Sequence, residues 1–247
     1  MTVVEQAGRV RTRQRSRTEL YEIAEAGRLR FADAGPDDAP AVLAWAVEQL
    51  GDSIAVASSF AGGTALLDLA AKALPGVDVL FLETGYHFPE TIGTRDALAV
   101  MLDITVVNVR GKQTVAEQDA EFGKDLFARD PNLCCRMRKV EPLAEALAGY
   151  DGWVTGVRRG DHAGRAGTKF VEWDAKNGMV KINPLAAWSF DQLVDHAAER
   201  GLPVNPLLAD GYPSIGCLPC TRRVEPGEDP RAGRWAGLAK NECGIHI

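Results

Sequence analysis

Five cysteines are the residues of this 247-residue chain best suited to chemistry: Cys134, Cys135, Cys217, Cys220 and Cys243. Their number is odd, their spacing is uneven and no secretory leader precedes them, so a disulfide framework is not expected and a reducing cytoplasm is. Two close pairs and one outlier read as a metal site plus a separate reactive thiol. A Cys217-Leu218-Pro219-Cys220 turn can aim two thiolates at one metal, and with Cys134-Cys135 the donors number four. Four thiolates suit zinc or an iron–sulfur cluster. The side chains of adjacent cysteines diverge, which is awkward around one tetrahedral ion. A cluster spreads its irons, so neighbouring residues can ligate different ones. This favours one 4Fe–4S cluster on Cys134, Cys135, Cys217 and Cys220, with Lys139 and nearby arginines offsetting its charge. The bland alternative is a set of buried, unliganded thiols.

The fifth cysteine lies in Lys240-Asn241-Glu242-Cys243-Gly244-Ile245-His246-Ile247. Lys240 and His246 beside it are expected to lower its thiol pKa and make it a nucleophile. Before it, residues 227–233 read as a hinge, with Arg231 and Arg234 as anion contacts. A mobile tail of this kind can hold Cys243 away from an anion site until it closes.

Two further stretches point to an anion. Ser58-Ser59-Phe60-Ala61-Gly62-Gly63-Thr64 puts small residues between an apolar run and an amphipathic one. Backbone N–H groups and a helix dipole can face an anion there, although no Gly-Lys-Ser/Thr of a P-loop follows. The second stretch, Glu83-Thr84-Gly85-Tyr86-His87, follows the next apolar run, at the strand edge where open parallel sheets bind ligands. His87 alone reads more readily as a structural histidine.

The elements needed to position these residues are legible in the pattern. Apolar runs at Ile54–Ala57, 77–82, 104–109, 153–157 and 180–182 read as buried strands. Helical periodicity appears at 19–30, 37–50, from 64 to 74, at 90–101, after Thr114, over 140–147 with an interruption at Pro142, and from 189 to 200. Strands alternating with helices argue an α/β fold, a parallel twisted sheet with helices on both faces. From Gly201 the chain turns Gly- and Pro-rich and irregular. We divide it into a loose Arg-rich arm (1–18), one α/β domain carrying the cysteine site (19–226) and a mobile C-terminal segment carrying Cys243 (227–247). A composition of 46% hydrophobic and 25% charged residues supports a real core, and the formal net charge of −6 disfavours a duplex nucleic-acid partner. No apolar run reaches the roughly 18 residues of a membrane span.

With these residues assembled, the chain resembles the sulfonucleotide reductases, specifically the iron–sulfur adenosine 5′-phosphosulfate (APS) reductases of the adenine nucleotide alpha-hydrolase-like fold. The resemblance runs from about residue 53 to the end and is strongest at 83–91, 134–143, 155–159, 205–221 and 242–246. The Cys-Cys and CxxC pairs are those of the cluster-containing branch. The Glu-Cys-Gly-Ile-His tail is similar to the family's Glu-Cys-Gly-Leu-His. The resemblance implies thioredoxin-dependent reduction of APS to sulfite and AMP through a Cys243 S-sulfonate, within assimilatory sulfate reduction and cysteine biosynthesis. It implies that Lys139, Arg231, Arg234 and His246 neutralise charge at the attacked sulfur. It implies that Arg158, Arg159 and Arg165 contact the nucleotide, with Ser58, Ser59, Phe60, Gly62, Gly63, Thr64, Glu83, Thr84 and Gly85 completing the substrate site. Reduced thioredoxin is the implied partner, and self-association is plausible from the family without a fixed order.

Two stretches depart from the family pattern. Ala61-Gly62-Gly63-Thr64 replaces a Gly-Ala-Glu-Asp turn, and Gly160-Asp161-His162-Ala163-Gly164 stands where the family has a Gln-Ser-Pro-Thr-like stretch. Three alternatives stay open at this point. One is a 3′-phospho-APS reductase that kept its cluster. Another is an ATP-using tRNA sulfur transferase, which would need a Ser-Gly-Gly-x-Asp-Ser turn that Ser59–Thr64 lacks. The third is a non-catalytic zinc module.

Overall fold

The computed structural model of the protein describes residues 12–238, 240 and 242–246. Six strands build one sheet: β1 (Ile54–Ala57), β2 (Val77–Glu83), β3 (Ile104–Arg110), β4 (Gly152–Thr155), β5 (Val171–Asp174) and β6 (Met179–Ile182). Their order is β3-β2-β1-β4-β6-β5, parallel except for β5, which pairs antiparallel with β6. β5 is a correction to the five-strand parallel reading. Its four residues are too short and too mixed to stand out, and a turn with Gly178 at φ +64° folds it back on β6.

Strand side chains alternate between two cores, as the period of two requires. Ile54, Val56, Val79, Phe81 and Val154 face a large core shared with α1 (Arg17–Arg30), α2 (Ala39–Leu50), α3 (Thr64–Ala73), α4 (Pro89–Met101) and α9 (Phe190–Glu199). Ala55, Leu80 and Trp153 face a smaller one under α8 (Glu141–Leu147). The chain direction of the crossovers reverses between β1 and β4, which leaves a crevice beyond their carboxyl ends.

The expected loose arm needs correcting. Residues 1–11 lie outside the described residues, but Arg13 donates to the carbonyls of Tyr150, Asn177 and Gly178 at 3.0–3.2 Å. Arg15 pairs with the buried Asp151 at 2.8 Å. Ser16 and Glu19 form a capping box, so α1 begins at Arg17. The arginines are thus docking groups against the β4 and β6 ends.

The expected break at Pro142 is also replaced. α7 (Pro131–Cys135) runs through a π-helical turn, Arg136–Val140, into α8. A proline ring in an α-helix meets the carbonyl four residues earlier, and the wider π turn removes that clash without ending the helix. Cys134, Cys135 and Lys139 all lie on this stretch.

α1 approaches α2 at Gly27, where a Cβ would lie 2.3 Å from the Trp45 ring and 2.8 Å from Val171. Neither group can yield, because Trp45 and Val171 are buried. Gly27→Ala is expected to destabilise the protein by about 1–3 kcal/mol through overpacking, read as a fall of several degrees in the melting temperature. An unchanged melt would show that α1 can slide.

Candidate active site

The crevice is a cleft of about 300 Å³. One wall is the turn after β1. Phe60 adopts a left-handed φ of +53° and buries its ring against Phe81, 5.6 Å between centroids, while Ser58 Oγ accepts the Phe60 N–H at 3.1 Å. This anchored strain turns Ser58, Ser59, Gly62 and Gly63 toward the cleft. α3 starts at Thr64 with no side-chain cap, and although the Leu66 N–H donates to the Gly63 carbonyl at 3.2 Å, the positive end of the helix faces the cleft beside Gly62 and Gly63. Phe60 and Thr64 themselves are core residues rather than lining ones.

The turn after β2 supplies the floor. Only Thr84 of Glu83-Thr84-Gly85 lines the cleft. Glu83 accepts the Gly85 N–H at 2.9 Å, so these two shape the turn. Thr84 Oγ1 lies 3.5 Å from Cys217 Sγ, and its carbonyl accepts from Arg138 Nη1 at 3.0 Å. His87 Nε2 lies 2.9 Å from the Leu82 carbonyl, and burial lowers its pKa against the pull of Glu83. Its ring lines the cleft beside Thr84 and stacks tilted against Phe81, 4.6 Å between centroids.

The loop after β4 forms the facing wall. Arg158 pairs with Asp161 at 2.7 Å, and Arg165 pairs with Asp161 at 2.9 Å and with Glu242 at 2.7 Å. Arg159 turns away, donating to the Thr168 carbonyl at 2.9 Å and lying over Phe170. It is not a cleft residue.

The tail closes the top, and Arg231, Arg234, Glu242, Cys243 and His246 all line the cleft. Cys243 is therefore seated in the cleft rather than held away from it. The segment is tied down by Trp235 N–H to the Cys220 carbonyl and Arg222 N–H to the Gly233 carbonyl, both 3.0 Å. Arg234 lies over Trp235 and donates to the Ile215 carbonyl and Ser214 Oγ. Gly216 makes this possible, since a Cβ there would sit 2.3 Å from Arg234 Nη2. Asp161 and Glu242 are site carboxylates to which residue type and spacing assigned no role. Glu242 stood inside the Glu-Cys-Gly-Ile-His motif, the one signal that marked it.

Cys134, Cys135, Cys217 and Cys220 surround one small pocket with Arg138, Lys139 and Trp235. Leu218 N–H to the Tyr86 carbonyl, 2.8 Å, holds the CxxC turn against the turn after β2. Among the described residues no three of His, Cys, Asp or Glu are already drawn together around one ion, so the choice between zinc and a cluster rests on the adjacency of Cys134 and Cys135. Burial and the neighbouring sulfurs push Cys134 up to about 12 and Cys220 up to about 11. Crowded thiols that oppose each other's ionisation fit a multi-atom cationic group between them.

Lys139 lies between this pocket and the cleft and lines both. Burial opposes its charge, but Cys217, Cys243 and Cys135 outweigh that and hold its pKa above the ordinary lysine value. Burial likewise opposes the Cys217 thiolate, and Lys139, Thr84 and Arg234 outweigh it, so Cys217 is lowered. The cations that Cys243 acts on are Lys139 and Arg234. The expected pair, Lys240 and His246, is not so placed. Lys240 donates to Asn132 Oδ1 at 2.5 Å. His246 stacks on Trp153, 5.6 Å between centroids and 5° between planes. Burial, with Lys181, Arg165 and Arg231, holds His246 down to about 3, so it offers a hydrogen bond but no charge.

Residues 53–223 match the phosphoadenosine phosphosulfate reductase domain family. The chain is 53% identical to an adenosine 5′-phosphosulfate reductase of Mycolicibacterium smegmatis, covering 93% of this chain and 95% of that one. It is also 53% identical to one of Streptomyces coelicolor, covering 94% and 97%. Its fold is similar to the crystal structure of phosphoadenylyl-sulfate reductase from Candida auris in a phosphate complex. The TM-score is 0.66 at 28% identity, over 79% of this chain and 94% of that one.

The depressed His246 pKa carries a sign. The docked tail excludes the proton and the undocked tail takes it up near the usual 6.5. Docking is thus fully stabilised above pH 6.5 and weakens as pH falls below it, toward about 3. Amide exchange at residues 242–246, corrected for intrinsic rates, is expected to speed up from pH 7.5 to pH 5. His246→Gln should remove that dependence, and a variant that keeps it would assign the effect elsewhere.

Proposed function

This chain belongs to the phosphoadenosine phosphosulfate reductase family, and on that premise we propose that it reduces adenosine 5′-phosphosulfate to sulfite and AMP, with a reduced dithiol protein of the thioredoxin type as electron donor. The observation that carries the reading is the place of Cys243. Among the described cysteines it alone lies outside the four-thiol pocket. It sits in the cleft with the uncapped start of α3 and faces Lys139 and Arg234. The identity to relatives named for APS, rather than its 3′-phosphorylated form, supports the substrate.

The nucleotide lies along the β1 turn, its phosphate at the α3 N-terminus and its sulfonyl group under the tail. Attack of the Cys243 thiolate on sulfur forms the S–S bond and breaks the S–O bond, and AMP leaves with the electron pair. The attacked sulfur is screened by anionic oxygens, so a thiolate approaches it against repulsion. Lys139 and Arg234 offset that charge where it concentrates. Arg165 and Arg231 stand at the rim, and neutral His246 can donate one hydrogen bond to an oxygen. One thiol of the donor protein then attacks Cys243 Sγ and releases sulfite. Its second thiol resolves the mixed disulfide and restores Cys243, two electrons in all. Opening of residues 227–247 gives the donor protein access and releases AMP.

Cys134, Cys135, Cys217 and Cys220 would hold one 4Fe–4S cluster. When bound, it ties the two cysteine segments together and sets the field beside Lys139, without carrying the electrons of the reaction. Lys139 and Arg138 would offset the net negative charge of the cluster with its four thiolates, on the cleft side and the α7 side.

Wild-type protein mixed with APS and no reductant is expected to gain about 80 Da, one SO₃ group, on the peptide holding Cys243. Cys243→Ser should bind AMP, keep its iron and form no adduct. The adduct on Cys135 or Cys220, or equal or faster use of 3′-phospho-APS, would overturn the assignment. Cys134→Ser is expected to lose iron and sulfide together. Full iron content with full activity would show that another residue holds the cluster.

A further inference from the structure

We propose that Glu242 is the positioning residue that seats the nucleophile, and that His162 is the donor that orients its carboxylate. The inference rests on the reading of Cys243 as the nucleophile. Glu242 precedes Cys243, so fixing its backbone places the Cys243 Cα one peptide unit away, about 3.8 Å.

The carboxylate is enclosed by donors from two separate segments. His162 Nε2 lies 2.6 Å from Oε1, Arg165 Nη2 2.7 Å and Nε 2.9 Å from the same oxygen, and Arg231 Nη2 3.5 Å from Oε2. Burial opposes its ionisation, but the His162 hydrogen bond and the charges of Arg165 and Arg231 outweigh it, so Glu242 stays ionised. Arg165 is itself held by Asp161 at 2.9 Å, so the notch is set by the loop after β4 rather than by the tail. On the far side of Cys243, Lys176 donates to the Gly244 carbonyl at 2.9 Å. The nucleophile is thus tied on both sides along the chain.

The tautomer of His162 follows from its other nitrogen. Nδ1 accepts the Gly164 N–H at 3.0 Å, so the ring proton is on Nε2, facing Glu242. A neutral imidazole suffices, and the bond needs no extra proton. Gly164 allows the arrangement, because a Cβ there would lie 2.7 Å from the His162 ring. This gives a role to Gly160-Asp161-His162-Ala163-Gly164, the stretch whose sequence stood out and which the reaction itself leaves unused. Asp161 sets the arginine, His162 orients the carboxylate and Gly164 fixes the ring.

The test uses the cluster-loaded protein with four variants: Glu242→Gln, His162→Ala, the two combined, and His162→Gln, whose amide nitrogen replaces Nε2. The rate of Cys243 S-sulfonation at saturating APS is expected to fall about tenfold in each loss variant, the worth of one charge-assisted hydrogen bond. The double variant should lose no more than the worse single one, because both changes break one contact. AMP affinity of His162→Ala should stay within about twofold, which separates positioning from binding. His162→Gln should recover most of the rate. Without nucleotide, exchange at residues 242–246 should be faster in both single variants and near wild type in His162→Gln. Wild-type rates and exchange in the single variants, or losses that multiply in the double one, would overturn the proposal. If the wild type takes no SO₃ from APS, the reaction reading fails, and the exchange comparison still decides whether Glu242 anchors the tail.

Discussion

The ammonium of Lys139 is the point on which two groups of sulfur depend. On one side stand Cys135 and Cys217 of the four-thiol pocket, and on the other stands Cys243 in the cleft. A lysine placed among thiols loses hydration, and only opposite charge nearby makes that tolerable. The pairing with Cys217 supplies it. Neither side can be rearranged alone. Moving the CxxC turn would strand the ammonium, and moving the ammonium would take from Cys135, Cys217, Cys220 and Cys243 the one cation they share.

Holding that lysine requires contacts from across the chain. The π turn sets its direction from the helix that also carries Cys134 and Cys135. The hydrogen bond from Leu218 N–H to the Tyr86 carbonyl brings the second cysteine pair against the turn after β2. Thr84 on that turn reaches Cys217 with its hydroxyl and Arg138 with its carbonyl. The sheet edge therefore does more than offer a crevice. It is the fixed frame on which two irregular segments, more than 80 residues apart in sequence, are brought to one lysine.

Much of this was legible in residue type and spacing. The strand–helix alternation is written in local periodicity, so the parallel strands and most helices could be read directly. The four cysteines and Cys243 separate by spacing alone, and Gly62-Gly63 marks the turn that lines the cleft. What could not be read is what depends on side-chain direction. Arg158 and Arg159 are neighbours, yet one faces the cleft and the other Phe170. His246 looked like a cation because it stands beside a cysteine, but burial, with Lys181, Arg165 and Arg231 nearby, removes the charge, and the ring stacks on Trp153, 93 residues away in sequence. β5 escaped because its pairing is set by a hairpin turn rather than by an apolar run. The docking of Arg13 and Arg15 escaped because a polar arm has no periodicity to betray a carbonyl partner.

The chain is acidic overall, with a formal net charge of −6, yet its cleft collects cations, and their partners sort them into two kinds. Arg158, Arg165 and Arg231 at the rim each have a carboxylate, either Asp161 or Glu242. These pairs keep three guanidiniums together without an anion present, when their mutual repulsion would otherwise spread the loop and the tail. Lys139 and Arg234 have no carboxylate partner among the described residues, and the charges they meet are those of sulfur. The carboxylate-paired cations can hold a shape, and the two that meet only sulfur can turn to charge that appears during reaction. An attack on a sulfonyl group needs the second kind at the sulfur and the first kind around it, because a preorganised charge acts without reorganising. The rim is thus stable before the nucleotide arrives, and the two cations without a carboxylate are the ones that act with the thiol outside the four-cysteine pocket.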